Sequence, residues 1–152
     1  MKLAKNKKGL AQNEVEINFN DDYMWDGLIA NLINYDENGL WVEMELARQV
    51  TPSIWNNIVG IPIDELYKCA RFMEQEKNPR KFQYHFTRPE RMDEVEENEF
   101  TSGILSLISN YDIGAGDFGR LSTYGLVKRN GQDDIVIIDY GLTNDVYDSY
   151  YR

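Results

Sequence analysis

The chain has little cysteine and little histidine. It contains one cysteine, Cys69, and one histidine, His85, in 152 residues. A single thiol excludes a disulfide framework and a thiol-rich metal site, and a single imidazole argues against a histidine-based zinc site. A chain with one thiol fits a reducing compartment, so we expect a cytoplasmic location.

Long apolar runs and excess positive charge are also missing. No apolar run approaches the ~20 residues of a membrane-spanning helix. The first nine residues are basic but lead into no long apolar region, so we expect no secretory signal there. The formal net charge is −10. Non-specific nucleic-acid binding needs a positive surface, so we expect neither a membrane nor a nucleic-acid partner.

The residues that are present predict one folded α+β domain. Hydrophobic residues make up 42% and aromatic residues 12% of the chain, enough for a single modest core. Turn residues and alternation predict a hairpin around residues 35–39 and a strand over 40–46. Thr51 and Pro52 predict a helix start, and Asp64 is expected to cap a second helix over 65–77.

The C-terminal half shows a long helix and a second hairpin. Apolar residues recur at helical spacing over residues 94–110, which predicts one helix. Two strands, over 124–127 and 135–138, flank Asn130-Gly131, a strong two-residue hairpin turn. A last helix is predicted to begin at Thr143 or Asn144.

Residues 116–142, GDFGRLSTYGLVKRNGQDDIVIIDYGL, carry the chemistry of most interest. Asp117 lies in a glycine-containing turn, and Asp139 follows the apolar run IVII. This layout places both carboxylates at the ends of neighbouring short strands, and we expect them to converge across a cleft. Paired acids in a turn-rich site suit divalent-metal phosphate chemistry.

Each of these residues also has a purely structural interpretation. Asp139 could cap its own turn, and Asp117 could bind local amides. Ser122 could serve as a capping hydroxyl, and Arg120 as a member of a surface ion pair. Lys2, next to the chain end, could be frayed. The sequence leaves these alternatives open.

The block from Asp117 to Gly141 resembles the protein-kinase-like fold, and the chain as a whole looks like the short kinase-like proteins of tailed phages. In that family a loop Asp is followed five residues later by Asn, and a strand then ends in Asp-Phe-Gly. Asp117, Ser122 and Asp139-Tyr140-Gly141 stand at these positions. Ser122 replaces the Asn, Gly116 stands directly before Asp117, and there is no glycine-rich loop.

The resemblance implies a role for each matching residue. Asp117 would be catalytic, Arg120 would contact phosphate, and Ser122 and Asp139 would hold Mg²⁺. Lys2 would bind the phosphates of ATP, with Glu14 or Glu16 as its helix partner. The strand and hinge over 41–47 would line the adenine pocket, which makes Glu43 and Glu45 nucleotide-binding candidates.

The implied architecture is a small N-terminal sheet region over residues 1–46 and a mainly helical C-terminal lobe over 47–152 that carries a catalytic-loop hairpin. Without a glycine-rich lid, bound phosphates are poorly positioned, so we expect weak phosphate transfer or none. The alternative is a non-catalytic acidic phage protein that binds a host or virion protein. The acidic run over 90–99 and the tyrosines at 147, 150 and 151 favour it, and fold alone does not choose.

Overall fold

The computed structural model describes residues 1–20, 23–111, 113–141 and 143–150, and it confirms the α+β class. Within these residues the helices are α1 (Lys7–Asn20), α2 (Pro52–Ile58), α3 (Ile63–Lys77), α4 (Met92–Glu97), α5 (Glu99–Asn110) and α6 (Asn144–Tyr150). The strands are β1 (Lys2–Leu3), β2 (Leu32–Tyr35), β3 (Trp41–Met44), β4 (Arg48–Gln49), β5 (Tyr124–Arg129) and β6 (Gln132–Ile137). No helix in the described part is long and apolar enough to cross a membrane.

The chain divides into two units, one formed by Met1–Gln49 with Thr123–Arg152 and the other by Val50–Ser122. The predicted 124–138 hairpin therefore groups with the N-terminal residues and not with the helical segment. Both sheets, each three-stranded and antiparallel, belong to the first unit, with strand orders β1-β3-β2 and β4-β5-β6.

The β2–β3 hairpin forms where the turn residues predict it. The Asp36 carboxylate accepts hydrogen bonds from the backbone N–H groups of Asn38 and Leu40, at 2.9 and 3.1 Å. Gly39 takes a φ of 70°, which a side chain would strain. The turn residues therefore close this hairpin together with the β2–β3 pairing.

The second predicted hairpin, β5–β6, is also confirmed. Asn130 and Gly131 both take positive φ, 50° and 80°, as a two-residue turn that matches strand twist requires. Val127 and Val136 are buried and pack with Ala30 in one core cluster. The hairpin is thus anchored by its inward-facing side chains.

Helix α1 covers residues 10–19, a stretch whose sequence pattern fits either a short helix or an extended segment. Asn6 precedes the helix, and its side-chain oxygen accepts from the Gly9 N–H at 3.0 Å, which satisfies one of the free donors of the first turn. The buried residues Asn13, Glu16 and Phe19 recur every three positions and so share one face. Two of these three are polar, which explains why the apolar pattern is faint.

The helical unit is organised around Trp55. Thr51 caps α2 as predicted, since its hydroxyl accepts from the Ile54 N–H at 3.3 Å. The Trp55 indole is 1% exposed, donates to the Ile61 carbonyl at 2.6 Å and meets the Phe100 ring edge-on. Its polar N–H is therefore satisfied while its rings fill the core.

Two helix boundaries differ from the prediction. The single helix expected over 94–110 is two helices, because Asn98 is extended (ψ 123°) and its side chain caps α5 by accepting from the Thr101 N–H at 3.1 Å. Helix α3 begins at Ile63, with Pro62 and not Asp64 at the cap position. Asp64 lies in the first turn, where its charge favours the helix dipole.

Cys69 is fully buried on α3, and burial raises the pKa of its thiol to about 11. A rise from 9.0 lowers the thiolate fraction at pH 8 about a hundredfold. We therefore expect the native protein to resist a thiol reagent such as dithionitrobenzoate at pH 8 and to react fully in 6–8 M urea, with thionitrobenzoate absorbance as the readout. Rapid reaction of the native protein would contradict the burial of Cys69.

Candidate functional site

One ammonium group in the first unit lies between two carboxylates. Lys2 Nζ lies 2.5 Å from Glu16 Oε1 and 3.4 Å from Asp139 Oδ1. The three residues come from a strand, a helix and the segment after a second hairpin. We call Lys2, Glu16 and Asp139 the Lys2 cluster.

Lys2 is held by the sheet and is not a frayed terminus. In β1 it pairs with Val42 of β3, and the Ala4 N–H donates to the Leu40 carbonyl at 2.9 Å. Val42 is fully buried. Since paired residues share a face of the sheet, Lys2 is directed to the buried side on which α1 packs.

Glu16 is the partner of Lys2, and Glu14 is not. The Glu16 side chain is 1% exposed, whereas Glu14 is exposed to solvent. Two residues along a helix turn the side chain by about 200°, so only one of the two can face the sheet. Burial raises the pKa of the Glu16 carboxyl, and the Lys2 ammonium opposes this rise.

Asp139 lies two residues after Ile137, the last buried residue of the second hairpin, and directly follows the half-buried Ile138. Its carboxylate is 64% exposed, although the flanking chain is fixed. On the N-terminal side, the Ile138 N–H donates to the Thr123 carbonyl at 2.9 Å. Asp139 therefore presents an accessible carboxylate from a constrained backbone.

Tyr140 and Gly141 fix the other side of Asp139. The Tyr140 ring is 2% exposed and meets Phe19 of α1 edge-on at 6.1 Å, and its hydroxyl lies 3.4 Å from the Ala30 carbonyl oxygen. A Cβ added to Gly141 would lie 2.6 Å from the Gln12 carbonyl oxygen, so only glycine allows this approach to α1. The same helix thus holds both Glu16 and the segment that carries Asp139.

The cluster can hold a divalent cation only together with other ligands. Among the described residues no group of three or more His, Cys, Asp or Glu side chains could hold a metal ion. Mg²⁺ is often bound by one or two carboxylates and completes its shell with phosphate oxygens and water. Asp139 supplies one exposed carboxylate for this partial role, and the Lys2 ammonium beside it is placed to contact an anionic ligand of the cation.

Asp117, Arg120 and Ser122 lie in the helical unit. Asp117 ends a short 3₁₀ turn, and Arg120 Nη1 lies 3.3 Å from its Oδ1 atom. Phe118, 2% exposed, anchors this loop, and Ser122 is exposed. Arg120 therefore forms an ion pair with Asp117, which is the structural role that the sequence left open for it. The expected convergence of Asp117 with Asp139 stays a prediction.

Glu43 and Glu45 differ in their surroundings. Glu43 is exposed on β3, opposite Asn34. The Glu45 carboxylate accepts from the Asn31 N–H at 2.8 Å and from the Arg129 guanidinium, which also donates to the Ile29 carbonyl at 3.0 Å. Glu45 thus joins the 29–31 segment to the β5–β6 hairpin, a structural role that the sequence did not reveal.

The acidic run over 90–99 is partly neutralised by its own neighbours. Arg88 binds Asp93 and Glu96 at 2.9 and 3.1 Å, and Arg91 binds Glu94 at 2.6 Å. Most of the run is helix α4, with Met92 and Val95 buried. It therefore offers less free negative charge than its composition indicates.

The tyrosine-rich tail begins with a helix, as predicted. The Thr143 hydroxyl accepts from the Val146 N–H at 3.2 Å, which caps α6. Tyr147 and Tyr150 are 46% and 44% exposed, and Tyr151 lies outside the described residues.

Comparison with family models finds no match, and neither curated proteins nor solved structures match this chain. The function must therefore be argued from the residues themselves.

Replacing Gly141 by alanine tests the contact between the Asp139 segment and α1. Because the new methyl group would meet the Gln12 backbone at 2.6 Å, we expect a loss of about 1–3 kcal/mol in the free energy of unfolding. Urea denaturation measures it. Gly116→Ala is the matched control, since its Cβ would meet nothing within 4 Å. Equal effects of the two substitutions would refute the proposed close contact.

Replacing Lys2 by methionine tests the pairing of Glu16. The buried carboxylate loses its partner, and we expect a loss of about 1–3 kcal/mol at pH 7. This is less than the ~3–5 kcal/mol of a fully buried pair, because the Lys2 side chain is 38% exposed.

The penalty of Lys2→Met should shrink as the pH falls from 7 towards the ordinary carboxyl pKa of 4.5. The pKa of Glu16 is raised in the folded state, so the protonated form, which needs no ammonium, becomes populated above that value. Urea midpoints at both pH values, relative to wild type, measure this change. Adding Glu16→Gln should recover part of the loss at pH 7. A penalty that is independent of pH would argue against the pairing.

Proposed function

We propose that this chain is a kinase-like protein that binds a nucleoside triphosphate together with Mg²⁺ at the Lys2 cluster. The observation that supports it best is the position of Lys2 between a buried helix glutamate and an aspartate that follows a strand. In protein kinases a strand lysine pairs with a helix glutamate, and a strand-end aspartate holds the metal. Lys2, Glu16 and Asp139 fit these three positions.

Each member of the cluster would act through a different property. Glu16, which is buried and lies 2.5 Å from Lys2 Nζ, orients the Lys2 ammonium. Lys2 contacts phosphate oxygens, and its distance of 3.4 Å from Asp139 Oδ1 allows it to be shared between the carboxylate and a ligand. Asp139, accessible on a constrained turn, supplies a carboxylate oxygen to the cation. When bound, Mg²⁺ would neutralise phosphate charge.

The kinase resemblance alone gives roles to two residues of the helical unit. By that resemblance Asp117 would accept the proton of an attacking hydroxyl, and Ser122 would offer a neutral oxygen as a metal ligand. Arg120, which is 71% exposed, can exchange Asp117 for a phosphate. The sequence has no glycine-rich loop to cover the phosphates. We therefore propose slow transfer or nucleotide binding alone.

A thermal shift with ATP and Mg²⁺ tests nucleotide binding. At a ligand concentration of about ten times Kd, RT ln 11 is about 1.4 kcal/mol, which raises Tm by about 3–6 °C for a chain of this size. We expect Asp139→Asn to abolish the rise. EDTA should reduce it strongly in the wild type, because phosphates next to Asp139 need the cation.

Asp133→Asn is the matched control for this experiment. It makes the same change of charge on β6, where Asp133 is 44% exposed and pairs with Arg48 at 3.2 Å, outside the cluster. The ATP shift should survive it. A shift that persists in Asp139→Asn would place the ligand elsewhere, and no shift at millimolar ATP would refute the proposal.

A further inference from the structure

A cavity of about 520 Å³ opens in the helical unit between α3 and the segment that precedes α4. Its lining residues are Glu65, Tyr67, Lys68, Arg71, Phe86, Thr87, Arg88, Pro89, Glu90 and Arg91. Four of these are cations, although the chain as a whole carries a charge of −10. We call this feature the cationic groove.

The outer wall of the groove is held in place by side chains. The Gln75 amide accepts from the Phe86 N–H at 2.5 Å and donates to the Phe86 carbonyl at 3.0 Å, as a paired strand would. The Arg71 guanidinium lies 4.6 Å from the Phe82 ring centre and 5.5 Å from that of Phe86. These contacts keep the groove open in a segment without regular secondary structure.

The three arginines of the groove form ion pairs of two kinds, and the fourth cation, Lys68, pairs with Glu65 at 2.6 Å and with Asp64 at 3.6 Å. Arg71 pairs with Glu74 at 3.0 Å, and the two side chains are 29% and 9% exposed, so this pair belongs to the structure. Arg88 and Arg91 instead pair with carboxylates that are 46–81% exposed. Exposed pairs contribute only about 0.2–1 kcal/mol each, so a ligand carboxylate can replace them.

The apolar and acidic side chains that line the rest of the groove limit which anionic ligands can bind there. Tyr67 and Phe86 stay 37% and 42% exposed and, with Pro89, offer apolar surface between the charges. Glu65 and Glu90 also line the groove and repel a dense cluster of negative charge such as a polyphosphate. A ligand whose carboxylates are separated by apolar side chains fits both features.

We propose that the cationic groove binds an acidic peptide segment in which large apolar residues are interspersed among glutamates. Arg88 and Arg91 bind its carboxylates through their planar guanidinium groups, and Phe86 and Tyr67 contact its apolar side chains. The partner is thus a protein with an exposed acidic-hydrophobic segment. This site lies in the helical unit and does not depend on nucleotide binding by the Lys2 cluster.

Fluorescence anisotropy with a fluorescein-labelled peptide of sequence EFEELE tests the proposal on the full chain. We expect saturable binding that weakens as NaCl rises from 50 to 300 mM, because exposed charge pairs are screened. The peptide KFKKLK, in which the charges are reversed, should bind at least about tenfold more weakly. No ATP is present, so this result is independent of the thermal-shift experiment.

The double variant Arg88→Ala/Arg91→Ala should bind EFEELE at least about tenfold more weakly than wild type, since it loses two charge-assisted contacts. Arg80→Ala/Lys81→Ala is the matched control. It removes the same charge from the segment between α3 and α4, but neither residue lines the groove, and we expect nearly unchanged affinity. Circular dichroism melting verifies that both variants fold.

Three results would overturn the inference. The first is that the wild type shows no saturable binding of EFEELE, and the second is that the two double variants lose the same amount of peptide affinity. The third is that millimolar inorganic pyrophosphate displaces the labelled peptide as readily as unlabelled EFEELE does. The last result would show that the groove recognises dense negative charge and not the spacing of a peptide.

Discussion

A buried carboxylate that must be paired governs the structure of the first unit. Glu16 is 1% exposed, and a charge removed from water is costly unless an opposite charge compensates it. Lys2 supplies that charge, and the pairing requires β1 to lie in register on β3 and α1 to present one face to the sheet. Asp139 reaches the same ammonium because Tyr140 and Gly141 pack on α1. The constraint thus joins three distant parts of the chain.

Side chains also take the place of backbone partners elsewhere. Glu45 binds the Asn31 N–H and Arg129, so one carboxylate joins two backbone segments of the first unit. Gln75 binds both polar backbone groups of Phe86 in the helical unit. The Phe86 segment is fixed without a sheet, whereas residues 29–31 also make a backbone bridge to Ile137 of β6. In both places a polar backbone group that would otherwise lack a partner receives one from a side chain. The proposed peptide site depends on the fixed Phe86 segment.

Local residue chemistry made several secondary-structure elements predictable. The wrongly predicted helix boundary also has a local cause. The Asn130-Gly131 turn demands positive φ, and Thr51 with Pro52 favours a helix start, so both predictions are confirmed. The helix over 94–110 was predicted as continuous because apolar periodicity is insensitive to one capping residue. Asn98 leaves the helical conformation and caps α5, which a pattern of hydrophobicity alone does not reveal.

The sequence by itself determined the α+β class, both hairpins and the exposed position of Asp139 after an apolar strand, because turn residues and alternation act over a few neighbouring positions. It left Glu14 and Glu16 as equal candidates and Lys2 as a residue that could be frayed. Only the tertiary structure decided that Glu16 faces the sheet and that Lys2 lies between Glu16 and Asp139. Residues 2 and 139 are far apart in the chain, and their meeting depends on strand pairing and helix packing that no local pattern encodes.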